Sequence, residues 1–344
     1  MMILPMRSAR PLFLVLGLLW LIAFWLSLAM GPVALTLEQT FRALLRLAEI
    51  GDADVQAALI VGQIRLPRAL LGVSIGTVLA LSGVAMQGLF RNPLADPGLI
   101  GVSSGAALGA SVAIVWGQLW GDVPVMLAPY LVSLFAFFGG LGVTVLVYRF
   151  GRRDGRSDVA AMLLAGVALT ALAGATIGLF SYLAEDGALR AMIFWNLGSL
   201  NGASYVRLWP MLAVALAVTF WLPRRARALN ALLLGESEAR HLGVDVERLK
   251  RDVVLCTALG VGASVAAAGM IGFVGLVVPH LVRLIVGPDH RVLLPAAALA
   301  GGSLVLLADL LARLLLAPTE LPIGTVTALL GAPVFLSLLL RGQR

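Results

Sequence analysis

The stretch Gln87–Ala110, QGLFRNPLADPGLIGVSSGAALGA, interrupts a chain that is otherwise strongly apolar. Pro93 and Pro97 each lack a backbone donor and push the preceding residue out of the helical region. Those preceding residues are Asn92 and Asp96, which open turns and cap helices. Apolar residues crowd both sides, so two hydrophobic helices meet at a tight break. Inside a membrane such a break is tolerated only where protein or water satisfies the freed backbone groups.

Outward from this break, composition sets the class. Of 344 residues, 60% are hydrophobic and only 12% charged, about half the charge of a soluble domain. Mean hydropathy is +0.99. The chain reads as a single all-α membrane domain over 1–344, with about ten spans. Expected spans run over 12–31, 65–90, 98–117, 124–148, 158–183, 205–222, 250–269, 272–287, 292–316 and 322–340. The first resembles a signal peptide behind Arg7 and Arg10 but lacks a clear small-residue cleavage site, so it reads as a retained span. With the N-terminus in the cytoplasm, the basic residues left outside are Arg42, Arg46, Arg65, Arg68, Arg190, Arg207 and Arg313. The larger share then lies inside, as the positive-inside rule requires, and both termini are cytoplasmic. The excess of basic over acidic residues therefore marks cytoplasmic loops rather than a nucleic-acid surface.

Two segments are too polar to span. Residues 33–60 read as an amphipathic segment lying on the outer surface. Residues 224–251, RRARALNALLLGESEARHLGVDVERLKR, form the longest cytoplasmic segment. An echo between RLPRALLGVSIG at Arg65 and RLKRDVVLCTALG at Arg248 has the form of an inverted repeat, a transporter habit.

Several chemistries lack their residues. The single cysteine, Cys256, excludes an intrachain disulfide and a cysteine metal cage. His241, His280 and His290 stand without a carboxylate cluster, so no metal site is expected. The only lysine, Lys250, lies between Leu249 and Arg251, outside any phosphate-binding loop. ATP energy must then come from another polypeptide, and no catalytic residue is expected in this one. GVSSG at Gly101–Gly105 has nucleophile-elbow spacing without the sheet that motif needs. Asp309 is the clearest charge within a span, with Arg313 four residues on along the same helix face. One paired acid is a poor proton relay, which argues against a proton-coupled secondary transporter.

RLPRALLGVSIGTVLALSGVAMQGLFRNPLADPGLIGVSSGAALGA, LGESEARHLGV, GFVGLVVPHLVR, DHRVLLP and ELPIGTVTALLGAPVF together resemble the FecCD-type permease subunits of type II ABC importers. That family moves haem, ferric siderophores and cobalamin. The resemblance implies a homodimer in the bacterial inner membrane, two cytoplasmic ATPase subunits and one periplasmic binding protein. No cofactor is held permanently; ATP is used by the partner subunit. The likeness leans toward haem permeases, with siderophore and then cobalamin as alternatives.

Residue by residue, Leu234, Gly235, Glu236, Glu238 and Arg240 match the segment that docks on the ATPase, with Gly235 turning between two short helices. Arg65, Arg68 and Arg313 match arginines that pair with binding-protein glutamates, although Asp309 competes for Arg313. LRAMIFWNLGSLNGAS resembles the short gating helix at the outer mouth. Haem, a flat apolar disc with two propionates, would want a mostly apolar path with a few cations. Arg190 is the candidate cation, and Met86, Met192, Phe194 and Trp195 are candidate apolar contacts.

Overall fold

Several helix starts in this protein follow an aspartate cap. Asp158 accepts from the Ala160 amide at 2.8 Å, Asp245 from Arg248 at 3.0 Å, and Asp289 from Arg291 at 3.0 Å. Each satisfies an amide that the first helical turn leaves orphaned. The computed structural model describes residues 10–341 apart from 48, 51–53, 118–126, 128–129 and 154–155. The helices are α1 (Arg10–Ala29), α2 (Leu37–Leu47), α3 (Val55–Leu59), α4 (Leu66–Leu89), α5 (Val102–Trp116), α6 (Leu131–Phe150) and α7 (Val159–Leu183). They continue with α8 (Asp186–Leu197), α9 (Tyr205–Trp221), α10 (Ala226–Leu234), α11 (Glu236–His241) and α12 (Val246–Ala268). The last are α13 (Val274–Val286), α14 (His290–Leu314) and α15 (Ile323–Arg341). A small hairpin of β1 (Arg152–Arg153) and β2 (Arg156–Ser157) joins α6 to α7.

Among the described residues, seven helices are long and apolar enough to cross a membrane, and α5, α13 and Ile323–Ser337 of α15 are shorter apolar helices. The all-α membrane architecture read from the sequence stands. The opening stretch behaves as its residues dictate. α4 ends at Leu89, Arg91 takes a left-handed conformation, and Asp96 accepts from the Gly98 amide at 2.7 Å to start the short 3-10 turn Pro97–Ile100. The chain then re-enters as α5 from Gly101, itself left-handed.

Two boundaries differ from expectation. The span expected to begin at residue 65 begins at Val55, because Asp54 caps α3 and a π-helical turn over Ile60–Arg65 carries it into α4. The segment 33–60 is therefore divided: α2 is the amphipathic helix, while α3 belongs to the long helix. The span expected from residue 124 has its helix α6 from Leu131; 124–126 lie outside the described residues.

α4 is the axis of the fold, buried along almost its whole length and packed by α9, α12, α13 and α14. Glycine makes this packing close. A Cβ on Gly76 would meet the Gly301 carbonyl of α14, and one on Gly83 would meet the Gly275 carbonyl of α13. Small residues at helix crossings replace the missing hydrophobic drive between helices in lipid. By contrast α7 exposes Leu164, Val167, Leu172 and Leu179, an apolar face suited to lipid.

Candidate functional site

At the α4 start and α14 end, Arg68 and Arg313 meet the carboxylates of Asp309 and Glu320, and Arg65 lies beside them. Asp309, whose side chain is 2% exposed, takes the Arg68 guanidinium at 3.0 Å from Nε and 2.9 Å from Nη2. It also pairs with Arg313 Nε at 3.1 Å, the pair that the four-residue spacing predicted. Arg68 forks onward to Glu320 at 3.0 and 2.9 Å. Arg313 reaches Met30 O at 3.1 Å and Ser27 Oγ at 3.1 Å. Arg65 donates to Leu28 O at 2.8 Å, Ala29 O at 2.6 Å and Val33 O. α1 has no basic residue in its last turn, so Arg65, at the end of the π-helical turn before α4, and Arg313 of α14 satisfy its terminal carbonyls and complement its dipole. The three arginines expected to pair with a binding protein are bonded within this chain. Arg65, Arg68 and Arg313 are 3%, 7% and 3% exposed and committed inside the chain. A charge buried at a span end is held when paired in this way.

Beside this cluster lies a cavity of about 770 Å³ lined by Phe194, Trp195, Ser199, Asn201, Arg207 and Glu320, among others. Two of the five expected pathway residues, Phe194 and Trp195, line it. Met86 and Met192 do not, being 0% and 2% exposed and packed inside the bundle. Arg190 is on the surface of α8 and outside the lining. The cation in the cavity is Arg207, on the first turn of α9, with no carboxylate partner among the described residues. Sequence reading missed it because its only signal was placement outside. Glu320 joins the cavity to the arginine cluster through Arg68.

At the other end, Gly235 adopts φ +128° and separates α10 from α11, the turn its sequence predicted. Leu234 and Glu238 are exposed, as is Leu242 past the end of α11. Glu236 and Arg240 are less free than expected. Glu236 accepts from Lys250 at 2.7 Å and pairs with Arg240 at 3.3 Å. Lys250, 1% exposed, also donates to Ser157 O at 2.8 Å. Glu247 closes the node by accepting from the Ser157 amide and hydroxyl, both at 2.8 Å. The only lysine thus ties α11, α12 and the β hairpin together, a role that reading it as a missing phosphate-loop residue did not reveal.

A buried helical axis, a polar-mouthed cavity at one end and a helix-turn-helix projection at the other define a transport permease. The chain belongs to the FecCD transport family, whose pattern matches residues 18–341. It is 48% identical over 278 residues to the hemin transport system permease protein HmuU of Yersinia pestis, covering 81% of this chain and 82% of that protein. It is 44% identical over 331 residues to the vitamin B12 import system permease protein BtuC of Shigella boydii, covering 96% and 95%. Among solved structures it is similar to a metal-chelate type ABC transporter in an inward-facing conformation. There the TM-score is 0.84 at 33% identity, covering 96% of this chain and 99% of that one. The chain is a permease of a type II ABC importer, a multi-pass protein of the inner membrane. With that, the secondary-transporter reading falls.

Proposed function

We propose that this permease carries haem from a periplasmic binding protein to the cytoplasm, as a homodimer driven by two ATPase subunits. The observation that carries this reading is the cavity of about 770 Å³, with Phe194 and Trp195 on its wall and the unpaired Arg207 among its polar groups. An aromatic wall suits a flat apolar disc, and a guanidinium suits its carboxylates. The likeness to a hemin permease points the same way. Vitamin B12 is the second reading, favoured by the fuller coverage of the BtuC relatives. A ferric siderophore is third, in line with the metal-chelate transporter.

In this reading Leu234, Gly235 and Glu238 meet the ATPase, while Glu236 and Arg240 hold the contact helix in place. Arg68 is the docking arginine of the three, because its other partner, Glu320, has a side chain 22% exposed. A binding-protein carboxylate would compete with Glu320 for that guanidinium. Arg65 and Arg313 hold the α1 end beneath it. The test compares Arg207→Ala, Arg207→Glu and Arg190→Ala in the assembled complex. Haem uptake should fall roughly tenfold or more on charge reversal at Arg207 and little at Arg190. Loss at Arg190 with no effect at Arg207 would overturn the assignment.

A further inference from the structure

One buried hydrogen-bonded contact joins the α10–α11 projection to the start of α14, alongside the direct packing of α10 on the central helix α4. Asn230 of α10 accepts, through Oδ1, from both the His290 backbone amide at 2.9 Å and the His290 ring Nδ1 at 2.8 Å. Its Nδ2 donates to Asp289 Oδ1 at 2.6 Å. These three bonds fix each group's role: because Nδ2 faces the carboxylate, Oδ1 must face the ring, and Nδ1 carries the proton. His290 opens α14 and is 1% exposed. Its other edge abuts α4, where a Cβ on Gly88 would stand 2.6 Å from Nε2. Nε2 has no hydrogen-bond partner, so the ring meets α4 by shape alone. Gly88 is the penultimate residue of α4, directly before the turn that holds Arg91, Asn92 and Pro93.

We infer that Asn230 and His290 are positioning residues that transmit movement of the ATPase-contacting segment to the end of α4 and its re-entrant turn. This rests on the importer reading above. The contact is stiff by construction. Asn230 grips both the start of α14 and the turn before it, and no flexible side chain lies between the imidazole and the α4 backbone. A displacement of α10 must therefore carry the α14 start with it, and the His290 ring then pushes on or withdraws from Gly88. Close packing of this kind transmits strain rather than absorbing it. The coupling segment also reaches α12 through Lys250, which bonds Glu236 and Ser157 O.

The experiment uses the full complex of permease, ATPase and binding protein in proteoliposomes, and measures cargo moved per ATP hydrolysed. Asn230→Leu removes all three bonds at nearly constant volume. It should lower cargo per ATP roughly tenfold, from the loss of buried hydrogen bonds that act as a unit. ATPase association and basal hydrolysis should stay at wild-type level. A general packing defect would lower both together. The paired change Asn230→Asp with Asp289→Asn reverses donor and acceptor between those two residues and leaves the His290 bonds intact; it gives up the Arg291 amide cap, so it should restore most of the coupling at some cost in stability. Wild-type coupling in Asn230→Leu overturns the inference. If Asn230→Leu fails to assemble, Asn230→Asp alone, which sets two carboxylates face to face, must uncouple and the paired change must rescue, or the inference falls. A wild-type complex that never links hydrolysis to uptake would overturn the importer reading itself, and the inference with it.

Discussion

Replacing Asp309 by Asn tests the buried cluster at the α4 start and α14 end. The amide keeps the carboxylate's shape but removes the charge that Arg68 and Arg313 share. All three side chains are less than a tenth exposed, so water cannot compensate. Removing one partner of a buried pair costs about 3–5 kcal/mol. Glu320 still forks onto Arg68, and the α1 carbonyls still receive Arg313, which favours the lower figure. A destabilisation of about 3 kcal/mol corresponds to roughly a hundredfold change in the unfolding equilibrium. It should appear in detergent as an earlier unfolding midpoint, read by tryptophan fluorescence against denaturant. If Asp309→Asn unfolds within about 0.5 kcal/mol of wild type, the cluster does not hold these helix ends. The arginines would then be free for an external partner.

Three further outcomes follow from the same packing. Lys250→Met leaves Glu236 and Glu247 without their buried cation, and α11 amides should exchange with solvent at least roughly tenfold faster; unchanged exchange would remove Lys250 from the node. Gly83→Ala drives a methyl onto the Gly275 carbonyl and should cost about 1–3 kcal/mol by forcing α13 off α4; a wild-type melt would mean the crossing has slack. Burial alone would raise the Asp289 carboxyl, but hydrogen bonds from Arg291 and Asn230 hold it down at about 2. Its contribution to stability is therefore present above the unfolded value near 3.9 and lost as pH falls through about 2. Asp289→Asn should flatten that part of the acid unfolding curve; an unaltered curve would show that the carboxyl carries no such linkage.

What was legible in the sequence divides along the range of the interactions. Apolar runs and caps are local, so α7 begins one residue from its expected start, after Asp158. The Asp309–Arg313 pair was visible at four-residue spacing, and Gly235 as a turn between short helices. The partners that decide the sites lie far apart along the chain. Arg68 and Asp309 are 241 residues apart, and Lys250 and Ser157 are 93 apart. No periodicity reports such meetings, so the partners of Arg68 and of Lys250 within the chain were not visible in the sequence. Arg190 was preferred to Arg207 because it stood in the gating segment, whereas cavity lining depends on how α8, α9 and α12 pack. The missed start of the long span at α3 has a local cause: the polar run before Val55 hid a helix that Asp54 had already capped.

The most direct test of the account is ATP-driven uptake into proteoliposomes that hold this chain with its ATPase and binding protein. Haem, vitamin B12 and a ferric siderophore should be compared side by side. Uptake of haem above the other two, abolished when either the ATPase or the binding protein is left out, is the predicted result. Haem uptake that persists without the ATPase, or transport of vitamin B12 with haem excluded, would contradict it.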